Sequence, residues 1–271
     1  MKKPKHHIPN KMAKTKVLLK SRELSAFVPE TRMMSANNLI AMLHKYGMVY
    51  LKPCCGSKGQ GVMKMERVQN AGSGRKESYR YQLKERVFNF PNDKAASHSI
   101  QKRTTGKAYL VQKGIRLLTY RSRPFDIRLM VQKTPRGMWV VAGAVGRVAH
   151  PGKIVTNGSQ GGTIYPVEYL LKKHASVQMR RKLVKLMNHI GTAAAKQLYS
   201  TYPGIREIGL DIALDQQLKP WILEVNTMPD PCPFTKLKDK SMLLSILRNG
   251  RAFGRTYKLK CTRARRGVYH A

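Results

Sequence analysis

Acidic residues are scarce in this chain: 14 Asp and Glu stand against 52 Lys and Arg, a formal charge of +38 over 271 residues. Solubility needs far less, so the excess implies an anionic partner such as a nucleotide, a phosphorylated polymer, a nucleic acid or an acidic protein surface. Residues Met1 to Arg22 and Arg248 to Ala271 contain no acid and read as peripheral basic arms. Cysteine is rare too. Cys54, Cys55, Cys232 and Cys261 form no CxxC pair and lack the His spacing of a zinc site, which predicts reduced thiols in a cytoplasmic protein. No run approaches the roughly eighteen apolar residues of a membrane span, and the basic N-terminus leads into no apolar segment of a secretory signal. Internal repeats and low-complexity linkers are likewise missing. The 42% hydrophobic content is enough for one large domain or two small lobes.

The most informative stretch is Gly209 to Pro231, GLDIALDQQLKPWILEVNTMPDP, two alternating runs joined by a polar turn. It predicts a β-hairpin. Pairing Asp215 with Pro220 across Gln216–Lys219 sets Asp211 opposite Glu224 and Gly209 opposite Asn226. One face then carries Ile208, Leu210, Ile212, Leu214, Trp221, Leu223 and Val225. The other presents the oxygens of Asp211, Glu224 and Asn226, with Gly209 leaving space beside Asn226. Carboxylates facing each other about 5 Å apart repel by on the order of 3 kcal/mol at an effective dielectric near 20, and a bound Mg²⁺ would turn that repulsion into coordination. Two acids, an amide, retained waters and substrate phosphates suit magnesium. The alternative is the solvated side of an amphipathic hairpin.

Upstream, Val17 to Leu19 reads as a short strand, and Ser35 caps a helix through Leu39, Ile40, Met42 and Leu43 that Gly47 ends. Strand Met48–Leu51 and Lys52-Pro53 lead into CCGSKGQG and a second strand near Val62–Val68. Glycines 56, 59 and 61 free backbone N–H groups to turn toward a phosphate, with Lys52 and Lys58 supplying charge. The loop has neither P-loop spacing nor a following helix, so an ordinary turn is its competing reading. A strand at Tyr79–Val87, a helix at Asp93–Gln101 and a strand at Ala108–Val111 follow. Phe125–Gln132 and Met138–Val148 predict a hairpin that, with Lys133 opposite Met138, shows Asp126, Arg128 and Arg147 on one face. An Asp–Arg ladder is the structural alternative there. TNGSQGG centres a polar loop, Ala175–Tyr199 has the period of one long helix, and a last helix covers about Asp239–Leu247.

In order, VYLKP, GSKGQG, YLVQKGI, FDIRLMV, NGSQGG, GLDIAL and ILEVNTMPD resemble the α+β ATP-grasp fold, and most closely its endospore coat-associated YheC/YheD group. That resemblance implies two lobes with largely antiparallel sheets clasping MgATP: a domain over 23–250, with a small lobe at about 36–112 and a large lobe at about 113–250, between a basic arm at 1–22 and a basic tail at 251–271. Lys52 is similar to the strand-end lysine that contacts phosphate, and Gly56, Ser57, Lys58, Gly59 and Gly61 to the flap over the phosphates. Gln112, Lys113 and Ile115 match the connection that receives adenine. Arg128 and Arg147 resemble arginines that stabilise a γ-phosphate or acyl-phosphate, with Asn157 nearby, and Asp211, Glu224 and Asn226 match the metal ligands.

Where the family usually carries a preceding α/β domain, only a short basic segment is expected before the ATP-grasp region, and the usual Pro-Gly after the last ligand is Pro229-Asp230. The implied activity is ATP-dependent carboxylate–amine ligation through an acyl-phosphate, in a protein associated with the spore. The alternatives are an ATP-grasp kinase of an anionic substrate, or a non-catalytic coat protein that binds a polyanion through its basic tails.

Overall fold

A computed structural model describes residues 6–69 and 77–269. In chain order the elements are α1 (Lys11–Leu19), α2 (Arg22–Ser25), β1 (Thr31–Met33), α3 (Ala36–Tyr46), β2 (Met48–Pro53), β3 (Met63–Gln69), β4 (Glu77–Leu83), β5 (Arg86–Phe90), α4 (Asp93–Thr104), β6 (Tyr109–Lys113), β7 (Thr119–Tyr120), β8 (Arg123–Lys133), β9 (Trp139–Val148), β10 (Thr163–Tyr165), α5 (Val167–Leu171), α6 (Val177–Thr201), β11 (Glu207–Leu214), β12 (Pro220–Asn226), α7 (Ser241–Arg251) and β13 (Arg265–Arg266). They divide into two compact units.

One unit comprises Pro29–Arg116 and Gly152–Val155. Its six-stranded sheet runs β1-β6-β2-β3-β4-β5, every pair antiparallel. Ser35 caps α3 by accepting from Asn38 N–H, and Gly47 closes it at φ 69. The apolar faces of α3 and α4 cover the sheet through Leu39, Leu43, Ala96 and Ile100, against Leu51, Met65, Tyr81 and Val111. Where a single strand is predicted at Tyr79–Val87, the chain turns at Lys84 (φ 56) and makes the hairpin β4–β5.

The other unit holds the chain up to Val28, Leu117–Pro151 and everything from Thr156 on. Its sheet runs β12-β11-β8-β9-β10-β13 with β7 beside β8, antiparallel except for β10–β13. One face packs Leu129, Val131, Ile208, Leu210 and Ile212 against Leu183, Ile190 and Leu198 of α6. The other face, through Met130 and Val145, is covered in part by Phe234, Ile246 and Ala264.

Several expectations for the ends are corrected. Val17–Leu19 is the last turn of α1, not a strand: Asn10 caps the helix by accepting from Ala13 N–H, and Val17 and Leu18 enter the core beneath α6. The described part of the expected basic arm is therefore built in, and residues 1–5 lie outside the described residues. The described part of the tail is tied down as well. β13 pairs with β10, Ala264 is buried, and Cys232 and Cys261 form a disulfide with their Cα atoms 5.4 Å apart, where reduced thiols are predicted. Those cysteines are 29 residues apart with no motif between them, so only the fold brings them together. The last two residues of the tail are outside the described set.

Candidate functional site

The β11–β12 hairpin pairs Gly209 with Asn226 and Asp211 with Glu224, as its alternation predicts. The turn end differs, because Leu214 rather than Asp215 meets Pro220 and a bulge at Leu223 restores the register beyond it. The bulge changes the core face. Ile222 and Val225, three residues apart, pack inward with Ile212 and Leu210, while Trp221 and Leu223 are only half-buried. Trp221 Nε1 donates to Asp215 Oδ2 (2.7 Å).

The acids do not meet as bare, repelling charges. Asp211 stands opposite Arg128 on β8 and accepts from its Nε and, at 3.1 Å, from its Nη2. Arg147 of β9 lies opposite Asp126, donates Nε to Asp126 Oδ1 (2.8 Å), and places Nη2 2.9 Å from Asp211 Oδ2. All four side chains are buried, and their charges sum to zero. Burial pushes the Asp211 carboxyl up, but the two guanidiniums outweigh it and hold it at about 2. Burial likewise works against the charge on Arg147, and Asp126 and Asp211 reverse that, raising it above the ordinary arginine value. The Asp–Arg ladder is thus present, inside rather than on the surface.

Its register differs from the expected one. Lys133 meets Trp139 rather than Met138, and a bulge between Met130 and Val131 adds a further residue, which is how Asp126 comes to face Arg147. The space expected beside Gly209 is filled: a Cβ there would lie 2.8 Å from Pro229 Cβ and 3.3 Å from Arg128 Nη1. Glu224, with a side chain 22% exposed, has Lys11 Nζ at 3.5 Å, a partner from α1 that sequence alone did not indicate.

The donor set suits a hard cation. Asp211 accepts two hydrogen bonds from Arg128 and forms an ion pair with Arg147, and it is ionised down to low pH. Glu224 is half-buried, and the Asn226 amide has no hydrogen-bond partner among the described residues. Those residues contain no group of three His, Cys, Asp or Glu that could hold a metal ion.

The other unit carries the glycine loop. Gly56, Lys58, Gly59 and Gly61 all have positive φ (122, 62, 70 and 72), so four of six consecutive residues from Gly56 to Gly61 turn their backbones in a left-handed sense. Gly61 lies so close to Tyr109 that a Cβ would sit 2.8 Å from the phenol oxygen. Ser57 lies in this loop and is exposed. Lys52, at the end of β2, donates to the buried Gln112 Oε1 (2.6 Å), and Gln112 Nε2 donates to Thr31 (3.0 Å). Lys52 and Gln112 are thus joined, although they were expected in different roles. The Lys113 N–H is spent on the Glu30 carbonyl (2.8 Å), and Ile115 is buried. Asn157 begins a short 3₁₀ turn, Gly158–Gln160, and its carbonyl accepts from Gln160 N–H (2.9 Å). That turn precedes β10, the strand beside Arg147.

Residues 3–255 match the domain described as YheC/D like ATP-grasp. The chain is 27% identical over 225 residues to the endospore coat-associated protein YheD of Bacillus subtilis, covering 81% of this chain and 48% of YheD. It is 24% identical over 228 residues to the endospore coat-associated protein YheC of the same organism, covering 82% of this chain and 60% of YheC. The chain therefore spans about half to three-fifths of these relatives. D-cycloserine synthetase DcsG shares the fold at TM-score 0.54 and 11% identity, over 90% of this chain and 70% of that one. With the match running through all but the chain's two ends, the protein belongs to the YheC/D-like ATP-grasp family.

Proposed function

We propose that this protein is a MgATP-dependent carboxylate–amine ligase, associated like its relatives with the spore coat. The observation that carries the reading is the hairpin register, which sets Asp211, Glu224 and Asn226 on one face of adjacent strands. Bound there, Mg²⁺ would neutralise phosphate oxygens, and those three side chains would hold it. Arg128 and Arg147 keep Asp211 ionised and fixed in place, and they stand ready as the cations against which a transferred phosphoryl group develops charge. Lys52 and the loop Gly56–Gly61 supply the positive charge and left-handed backbone that suit phosphate oxygens. The reaction needs no covalent protein nucleophile: the γ-phosphoryl activates a carboxylate, and an amine displaces phosphate. Asn157, Gln112, Lys113 and Ile115 belong to the nucleotide site in this reading.

The test is the thermal shift produced by MgADP, followed by ADP release across a panel of amino acids. The native protein should be stabilised, and Glu224→Ala should lose most of that stabilisation with its unliganded melting temperature kept. Amine-dependent ADP release would support the ligase. A phosphorylated product without amide formation would replace it with a kinase.

A further inference from the structure

The unit that contains the hairpin also encloses a cavity of about 350 Å³, within the range of small-molecule sites, and none of the residues discussed above for nucleotide or metal lines it. Glu207 and Gln132 form one side. They are partners across β11 and β8, and by the period of two they share the sheet face of Asp211 and Arg128, roughly 13 Å further along the strand. Thr227 and Met228, directly after Asn226, form another, and the end of α7 with the segment beyond it closes the space.

The polar groups here are unevenly satisfied. Glu207 is fully engaged: Oε1 accepts from Arg255 Nε (2.9 Å), and Oε2 accepts from Gln132 Nε2 (3.0 Å) and the Tyr257 hydroxyl. Asn249 is only 5% exposed, yet its amide bonds to no other described residue. A buried amide oxygen without a partner is uncommon, and Gln132 Oε1 is one; Gln132 and Asn249 both line the cavity. Arg206 donates Nη1 to two backbone carbonyls, lies near the rings of Tyr199 and Phe253, and has no carboxylate partner among the described residues, so its positive charge is not neutralised by an acid. With Arg255 it gives the cavity two guanidiniums against one neutralised acid. Phe253 and Met228 add exposed apolar surface.

We propose that this cavity binds a small carboxylate that also carries an amide or amine N–H, an amino-acid-like or peptide-terminal ligand. Its carboxylate lies on the guanidinium groups of Arg206 and Arg255, its N–H donates to the Asn249 side-chain oxygen, and its side group rests on Phe253. A net positive cavity selects the carboxylate, and the unpaired amide selects a partner able to hydrogen-bond. That the ligand serves as a substrate rests on the ligase reading, whereas its binding does not.

Isothermal titration of the full chain with N-acetyl-L-alanine tests the proposal, with N-acetyl-L-alaninamide and inorganic phosphate as comparisons. Expected are saturable binding of the acid, none of the amide, and affinity weakened roughly tenfold or more by Asn249→Ala and by Arg206→Gln. The MgADP thermal shift should be the same in both variants, which reads the nucleotide site separately. Absence of saturable binding overturns the proposal, as does binding that survives both substitutions. Phosphate binding as tightly as N-acetyl-L-alanine would overturn it in favour of a simple anion site. If Asn249→Ala fails to fold, Arg206→Gln decides.

Discussion

Arg147 Nη2 lies 2.9 Å from Asp211 Oδ2 although a whole strand, β8, runs between theirs. The same guanidinium is held by Asp126 on β8, so one side chain ties three strands together. Arg147→Met should therefore cost about 3–5 kcal/mol of unfolding free energy, because it strands the buried Asp126 carboxylate and leaves Asp211 to Arg128 alone. Arg147→Lys should recover only part, since an ammonium lacks the planar fork. Urea unfolding measures both, and an unchanged midpoint in Arg147→Met would mean that the cluster adds nothing.

The pH dependence follows from Asp211. Its carboxyl is held at about 2 in the folded chain, below the roughly 3.9 of an unfolded aspartate, so its contribution is present above pH 4 and is lost as pH falls through 2. The loss should be roughly 2 kcal/mol over that window. Asp211→Asn should remove that part of the slope, and the comparison is acid titration of both proteins at several urea concentrations.

Lys52→Met should weaken MgADP binding by roughly tenfold or more, with little change in melting temperature without nucleotide. The Lys52–Gln112 bond supplies the counter-test. If Lys52→Met destabilises the free protein and leaves MgADP binding intact, the lysine serves Gln112 rather than a phosphate.

Opening the Cys232–Cys261 disulfide should lower stability by about 3–4 kcal/mol, the loop-closure entropy expected for a separation of 29 residues. Melting temperatures with and without reductant, and in Cys232→Ser, measure it. A reductant effect that persists in Cys232→Ser would rule out this bond as its source.

Leu18 is 2% exposed in the core under α6, so Leu18→Ala should cost about 2–5 kcal/mol, as at other buried leucines. A change near zero would mean that the segment is peripheral after all.

How much of this was legible in sequence depends on the length scale. The strict alternation of GLDIAL and ILEVN carries the opposition of Asp211 and Glu224, because a period of two leaves little freedom on a buried face. That pairing holds even though the turn is one residue longer than expected, because the bulge at Leu223 offsets it. Bulges leave no compositional mark, so the core role of Ile222 was hidden. The partners of Arg147 were hidden for the same reason, the β8–β9 register being displaced once at the turn and once at a bulge. The glycine loop was readable because left-handed backbone favours glycine, although Lys58 adopts it too. Lys11 beside Glu224 and the joining of Cys232 to Cys261 are long-range contacts that no local pattern encodes.

The bulge at Leu223 separates who meets whom from where they point. Six residues of β11, Gly209 to Leu214, are matched by seven of β12, yet Asp211 still faces Glu224 and Ile212 still faces Ile222. Deleting Leu223 would keep every one of those pairings and straighten the strand, since an extra residue bends and twists the strand that carries it. The aim of Glu224 and Asn226 is thus a property of local curvature, adjustable by chain length alone without exchanging a single partner.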